Sequence, residues 1–213
     1  MARKYVIDTS SLFNFFRYLY FDKKSGAKIY KSLTDFLVSK INEGEIIIID
    51  KVDVEMNGYP DYIARRGEFR AKLVDTVPLS QRVLRLSEKY YIAENEEKYF
   101  KNGQGQIDAN RVDAELNEYT NKNADLFLVA KCLEIKDLGD EPILITSETP
   151  NTRRYMKLIQ KIPTICSGEG IRCEDISGLI FERYKKELKF DLAVASGQQN
   201  QPTNAQPSPP ASH

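Results

Sequence analysis

Three short apolar runs that do not alternate with polar residues constrain the fold of this chain most. They occupy residues 5–7, 46–49 and 143–145, and stretches with apolar residues at helical spacing lie between them. A strand covered by helices on both faces of a parallel sheet has this continuous apolar character. Strands that alternate with helices in this way predict an α/β domain with a central, mostly parallel sheet.

The remaining elements are predicted from weaker signals. Residues 162–166 are predicted to form a short fourth strand near Thr164 at a sheet edge, because Pro163 cannot donate to a hydrogen-bond ladder in a sheet interior. Apolar residues at helical spacing predict further helices over residues 151–160 and 175–188.

Domain organisation follows from length and local composition. A chain of 213 residues is expected to hold one full domain, which we place at residues 1–190. Inside it, residues from about 60 to 121 are rich in charge, with several helical patterns and no strand signal, and they predict a helical insertion. Residues 196–213 are rich in Gln, Asn, Pro and Ser, a composition that predicts a disordered tail.

Composition excludes several classes of function. Lys plus Arg and Asp plus Glu both number 31, so no overall field draws the chain to nucleic acid, and any polyanion contact must use a local basic patch. The only histidine is His213, which excludes histidine-based acid–base chemistry and histidine-rich zinc sites. No apolar run approaches the roughly 18 residues of a membrane span. The three cysteines lack the dense spacing of a secreted scaffold, so we expect a cytoplasmic protein without membrane contact.

Acidic side chains gather at the predicted carboxyl ends of the strands. Asp8 ends the first run, Glu55 lies just past the second and Glu148 follows the third, while Asp125 opens a helix. Because parallel α/β sheets carry their sites at this edge, we expect the four carboxylates to converge on one crevice. Such a cluster repels itself unless a divalent cation neutralises it, and hard oxygen ligands without histidine favour Mg²⁺ or Mn²⁺.

Each acid alone also has a structural explanation. An Asp in the position of Asp125 is more often a helix cap than a ligand, and a single Glu is most often a solvated surface residue. Three other acids near the second strand compete for the role of Glu55, namely Glu45, Asp50 and Asp53. Glu55 is preferred because it follows the strand at a helix-like start.

Four stretches around these acids resemble the motifs of the PIN-domain family, in particular its VapC-like ribonuclease toxins and a larger group of relatives. They are Tyr-Val-Ile-Asp-Thr-Ser-Ser-Leu with Asp8, Val-Asp-Val-Glu-Met with Glu55, Asn-Ala-Asp-Leu-Phe-Leu-Val-Ala with Asp125, and Ile-Leu-Ile-Thr-Ser-Glu with Glu148. The last stretch has Glu148 where the compact toxins usually have Asp, so its carboxylate lies further from the backbone. The predicted insertion is also longer than the compact toxins carry.

The resemblance implies a three-layer PIN-like fold and a metal-dependent endoribonuclease that cleaves RNA phosphodiester bonds. It assigns the four acids as catalytic ligands of Mg²⁺ or Mn²⁺, with Ser10 and Thr146 supplying hydrogen bonds behind them. It also implies a homodimer and, as is common in the family, the toxin of a toxin–antitoxin pair with an antitoxin protein as partner.

Two other functions remain open. An aspartate-based phosphatase would also place its nucleophile at the end of the first strand, but Ser10 stands where the second aspartate is needed, and no clear lysine motif accompanies it. The other alternative is a degenerate PIN-like binding or scaffold protein without catalysis.

An RNA-binding surface needs clustered cations, because phosphates supply most of the affinity for nucleic acid. Two clusters are candidates, Arg153, Arg154 and Lys157 after the fourth acid, and Arg65 and Arg66 in the predicted insertion. Either cluster alone is typical of a solvated helix face. Arg153 is preferred for the RNA contact because it follows Glu148 by about one and a half helical turns. For Arg65 and Arg66, the alternative role is contact with a protein partner or a second subunit.

Overall fold

A computed structural model describes residues 1–18, 27–150 and 155–188 of the chain. Its centre is a sheet of four parallel strands in the order β2-β1-β3-β4. The strands are β1 (Arg3–Ile7), β2 (Ile46–Ile47), β3 (Glu141–Ile145) and β4 (Arg172–Glu174). Helices flank this sheet, so the prediction of an α/β fold with a central parallel sheet is confirmed.

The described helices are of several lengths. The α-helices are α1 (Thr9–Tyr18), α2 (Ala27–Asn42), α3 (Asp50–Glu55), α4 (Pro60–Arg66), α5 (Ser80–Lys89), α6 (Ala93–Tyr99), α7 (Ala109–Asn121), α8 (Asp125–Asp137) and α9 (Ile162–Glu169). Short 3₁₀ turns lie at Met56–Gly58, Arg70–Lys72 and Val77–Leu79, and a π-helical segment lies at Gly178–Arg183. None of the described helices is long and apolar enough to cross a membrane.

The second apolar run is shorter as a strand than predicted, and three of its four isoleucines are buried while Ile47 is half-buried. Only Ile46 and Ile47 pair with β1, and the chain then forms an isolated parallel bridge between Ile49 and Val74. The Val74 segment covers this edge of the sheet, with its N–H donating to the Ile48 carbonyl oxygen at 3.0 Å. Ile48 and Ile49 are therefore fully buried at a sheet edge.

The prediction of a strand at residues 162–166 is wrong, because this segment forms helix α9. Pro163 occupies the first turn of the helix, where its missing N–H has no intrahelical partner to lose. The apolar side chains of Ile162, Ile165 and Cys166 have helical spacing and are buried together. Gly170 ends the helix at a φ of 65°, and the fourth strand follows as β4.

Two other predicted helices also differ from the structure. Residues 155–160 of the predicted helix over 151–160 are not helical, and Ile159 instead forms an antiparallel bridge with Tyr91. Residues 151–154 and the tail at 196–213 lie outside the described residues. Within residues 175–188, the main helical element is the π-helical segment.

Helix α4 is fastened to α3 by an ion pair between the partly exposed Arg66 and a buried carboxylate. The carboxylate of Asp53, 4% exposed, accepts hydrogen bonds from the Arg66 Nε at 2.6 Å and the Tyr62 hydroxyl at 2.7 Å, and Arg66 Nη2 donates to its second oxygen. The fully buried Tyr62 ring packs against Phe69 and Phe16, with centroids 5.7 and 5.8 Å away. The segment after β2 is thus held to the helix that ends at Glu55.

We expect Arg66→Ala to lower the free energy of unfolding markedly, because it leaves the buried Asp53 carboxylate without its cation. Arg70→Ala, which removes an exposed arginine of the same segment, is the matched control and should cost less than about 0.5 kcal/mol. Urea denaturation at neutral pH measures both free energies of unfolding. Equal effects of the two substitutions would contradict a structural role for the ion pair.

Candidate active site

The carboxylate of Asp8 is fixed by two hydroxyl donors at the end of β1. Ile7 pairs with Ile145 in the parallel ladder, and the Asp8 N–H donates to the Ile145 carbonyl oxygen at 2.9 Å. Ser10 Oγ and Thr146 Oγ1 both donate to Asp8 Oδ2, at 2.5 and 2.9 Å. Asp8 is 5% exposed, so the two residues predicted to brace this site orient a nearly buried carboxylate.

Glu55 is the last residue of α3, and its carboxylate contacts the first residue of α1 and the residue before α8. Its Oε1 accepts the Ala124 N–H at 3.0 Å, and its Oε2 accepts the Thr9 hydroxyl. Ala124 directly precedes the first residue of α8, so the carboxylate also lies at the positive end of that helix dipole. These contacts bring Glu55 to the edge of the sheet where Asp8 lies.

The carboxyl group of Asp125 has a strongly raised pKa. Asp125 is the first residue of α8, and its side chain does not cap the helix, so the helix-cap explanation does not hold for it. Burial raises the pKa of its carboxyl to about 8, and the negative charges of Asp8, Glu148 and Glu55 contribute to the same shift. The charge of Lys157 opposes them.

Glu148 follows β3 in a turn that points its carboxylate toward the same edge. Its N–H donates to Thr146 Oγ1 at 3.1 Å, and its Oε2 accepts the Ile162 N–H at the start of α9 at 3.3 Å. Burial raises the pKa of the Glu148 carboxyl, and the charge of Asp8 adds to this effect. The longer side chain of Glu148 therefore still reaches the neighbourhood of Asp8.

The structure brings the four predicted acids together as interacting charges but not as a closed metal cage. Within the described residues, no group of three or more His, Cys, Asp or Glu side chains is arranged to hold a metal ion. The donor chemistry of four carboxylates fits a hard divalent cation. The contacts explain the open arrangement, because Glu55 and Glu148 each direct an oxygen at a backbone N–H.

The acids that compete with Glu55 have other partners. Asp53 is the buried partner of Arg66, Asp50 accepts the Thr76 hydroxyl at 2.6 Å, and Glu45 pairs with Lys40 at 3.1 Å. Of the four candidates near the second strand, Glu55 is the one whose charge raises the pKa of Asp125.

The predicted RNA-binding cations differ in their surroundings. Arg65 donates to the Asp35 and Glu68 carboxylates at 2.6 and 2.9 Å, and Arg66 is engaged with Asp53, so both guanidinium groups have partners within the chain. Lys157 is exposed and lies within electrostatic reach of Asp125. Arg153 and Arg154 lie outside the described residues.

Two tyrosines form a wall of the site that the sequence analysis missed. The Tyr155 hydroxyl donates to the Ile159 carbonyl oxygen at 2.6 Å. Burial raises the pKa of Tyr155 to about 12, with the charges of Glu148 and Asp125 among the causes. Burial also raises the pKa of Tyr119 on α7, and Tyr155 and Asp125 contribute to that shift. No local sequence pattern marks these residues, since only tertiary packing places them beside the acids.

A polar contact between α1 and the loop after β3 was also missed. Ser147 Oγ lies 3.1 Å from Ser11 Oγ and accepts a hydrogen bond from Asn14 Nδ2 at 3.0 Å. Ser11 and Asn14 stand three residues apart on one face of α1, a spacing that could have indicated a polar partner. The contact ties the loop that carries Glu148 to the helix that follows Asp8.

Comparison with known proteins gives a match at the level of a family. A family model described as "Domain of unknown function (DUF4411)" matches residues 5–186, a range that includes all four acids. A search of curated proteins finds no match.

We expect Asp125→Asn to stabilise the protein, without added metal, by more than about 1 kcal/mol at pH 8.5, where the wild-type carboxylate is charged among other acids. The folded pKa of about 8 lies above the ordinary value of 3.8, so the folded state binds the proton more tightly. The stability that proton binding to Asp125 adds is present in full below the ordinary pKa of 3.8. It decreases as pH rises and is lost above the folded pKa of about 8. The difference in free energy of unfolding between Asp125→Asn and the wild type should therefore become smaller as pH falls toward 5.

Chemical denaturation in EDTA from pH 5 to 9 measures this difference. Asp113→Asn on the exposed face of α7 is the control and should follow the wild type throughout. If the stability of wild type and of Asp125→Asn changes with pH in the same way, the folded protein does not disfavour the charged form of Asp125.

Proposed function

The chain belongs to the family described as "Domain of unknown function (DUF4411)", and we propose that it is a metal-dependent endoribonuclease with a PIN-like active site. The observation that carries the proposal is the cluster of Asp8, Glu55, Asp125 and Glu148 at the carboxyl end of a parallel sheet. In parallel α/β folds this edge is where ligands bind.

The charge balance of the cluster supports a cation as ligand. Asp8 has two hydroxyl donors, and Glu55 and Glu148 each have a backbone N–H donor. Asp125 lies among their charges without a comparable donor to its own carboxylate among the described residues, and burial with these charges raises its pKa to about 8. A divalent cation bound among these carboxylates would relieve this repulsion.

The roles of the residues follow from their contacts. Asp8, Asp125 and Glu148, with Glu55, would hold Mg²⁺ or Mn²⁺, which when bound supplies activation of water and stabilisation of the charge that develops on a phosphodiester. Ser10 and Thr146 hold one oxygen of Asp8 and leave the other free of described donors. Thr9 and the Ala124 N–H fix the position of Glu55.

The PIN resemblance supports further parts of the proposal. The substrate is RNA, the protein is the toxin of a toxin–antitoxin pair, and its partners are an antitoxin and a second copy of the chain. We also propose that the protein is cytoplasmic, because its three cysteines lack the dense spacing of a secreted scaffold. An aspartate-based phosphatase receives less support, because Asp8 is nearly buried and held by two hydroxyl donors.

RNA binding without cleavage is the second candidate function. It is favoured by one observation, that the described residues do not arrange three ligands around a common point. The two candidates differ in whether Mn²⁺ promotes cleavage.

We expect the purified protein to cleave single-stranded RNA when Mn²⁺ or Mg²⁺ is added and to be inactive in EDTA. Asp8→Asn and Asp125→Asn should each lower the rate by roughly 100-fold or more, because each removes a charge that would hold the cation. Asp113→Asn, with the same change on the exposed face of α7, should keep full activity. Gel analysis of a labelled oligonucleotide measures the rates.

The same variants test cation binding without catalysis. Mn²⁺ should raise the thermal unfolding midpoint of the wild type and of Asp113→Asn, and should raise that of Asp125→Asn less. Full cleavage by Asp8→Asn would remove Asp8 from the site. If the wild-type protein binds RNA but does not cleave it, the nuclease proposal is rejected and RNA binding without cleavage is retained.

A further inference from the structure

A pocket of about 470 Å³ opens where α6, α7 and the segment after residue 155 meet. Its lining includes Tyr99, Phe100, Arg111, Glu115, Met156 and Lys157. We call it the aromatic pocket. The four acids of the candidate active site are not part of its lining.

The aromatic pocket is adjacent to the carboxylate cluster through Lys157. The Nζ of Lys157 lies 4.0 Å from Glu115 Oε1 inside the pocket, and the same charge acts on Asp125 in the cluster. Tyr155, two residues earlier, is influenced by both Asp125 and Glu148. A ligand in the pocket would therefore have a cation between itself and the acids.

The surfaces of the aromatic pocket suit a flat ring with polar edges. Tyr99 is half-buried and Met156 is 54% exposed, and the Arg111 guanidinium lies over the Phe100 ring at 5.3 Å. Arg111 is exposed and forms no salt bridge within the part of the chain that the structure describes. Aromatic rings and arginine planes are the surfaces on which proteins stack unpaired bases.

The polar groups of the pocket complete this chemistry. The Glu115 carboxylate faces the pocket and can accept a hydrogen bond from an N–H donor on a base edge, as acidic side chains do with exocyclic amino groups. Lys157 is a cation placed between the pocket and the acids, where the phosphate of a nucleotide would lie. The two groups lie 4.0 Å apart in the protein, and a nucleotide at this place would contact Glu115 with its base edge and Lys157 with its phosphate.

We propose that the aromatic pocket binds an unpaired nucleobase of single-stranded RNA, next to the phosphodiester that the carboxylate cluster engages. The proposal rests on the proposed function and narrows its substrate class. The base stacks on Tyr99 and Arg111, and Lys157 contacts the adjoining phosphate. Duplex RNA keeps its bases stacked inside the helix and is excluded as a substrate.

The test measures RNA affinity in EDTA, so that it does not depend on cleavage. Fluorescence anisotropy follows a labelled single-stranded oligonucleotide bound to wild type, Arg111→Ala and Tyr99→Leu, with circular dichroism as a check of folding. We expect each variant to bind about tenfold more weakly, as for loss of one base-stacking contact. Tyr99→Phe keeps the ring and should bind as the wild type does.

Arg85→Ala is the matched control for charge. Arg85 is also exposed, but it lies on α5 and lines a different pocket, next to Asp137 at the opposite end of α8 from Asp125. Its loss should change the affinity by less than about twofold, the effect of one distant surface charge. If Arg111→Ala and Tyr99→Leu weaken binding no more than Arg85→Ala, or if duplex RNA binds equally well, the pocket is rejected as a base site.

An abasic substitution identifies the base concerned. At one position of the oligonucleotide, removing the base should weaken wild-type binding to the level of Arg111→Ala and should cost nothing further in that variant. The absence of any such position overturns the proposal.

Cleavage with Mn²⁺, measured in parallel, separates this inference from the proposed function. Cleavage by the wild type without base-dependent binding would reject the pocket and keep the nuclease. Base-dependent binding without cleavage would keep the pocket and reject the nuclease. Neither binding nor cleavage would reject both.

Discussion

The parallel pairing of β1 with β3 is the constraint on which the candidate site depends. It sets Ile7 beside Ile145, so Asp8 and Thr146 leave the sheet together and the Thr146 hydroxyl reaches the Asp8 carboxylate at 2.9 Å. Successive side chains of a strand face opposite sides of the sheet, so a slip of one residue would separate them. Glu148, whose N–H donates to the same Thr146 oxygen, would lose its position with them. The apolar core strands thus determine the register of the acids.

The four acids share one edge of the sheet but are stabilised unequally. Hydroxyl groups hold Asp8, and backbone N–H groups at the starts of α8 and α9 hold Glu55 and Glu148. Helix starts carry partial positive charge, which makes them suitable partners for carboxylates. Burial and the charges of the other three acids raise the pKa of Asp125 to about 8. The cluster therefore disfavours the charged form of the Asp125 carboxyl group.

The sheet and the order of the acids could be predicted from the sequence because both depend on local patterns. Continuous apolar runs mark buried strands, and Asp8 directly follows the first of them. Residues 162–166 were mistaken for a strand because Pro163 is compatible with an edge strand and with the first turn of a helix, and a short apolar run does not distinguish them. The ion pairs of Arg65 and Arg66 could not be predicted, since their partners Asp35 and Asp53 are brought near only by folding.

The segment between the second and third strands contributes more to the site than its polar sequence suggests. Within it, the Asp53 ion pair fastens α4 to α3, and α7 carries Tyr119 and Glu115 to the side of the acids. On the proposed function, the sheet edge would supply the groups that act on the phosphodiester, and this segment would supply the surface that selects the base. Because the two sets of residues lie on different elements, substitutions in one need not disturb the other. Chemistry and substrate selection would then be separable by mutation in a single domain.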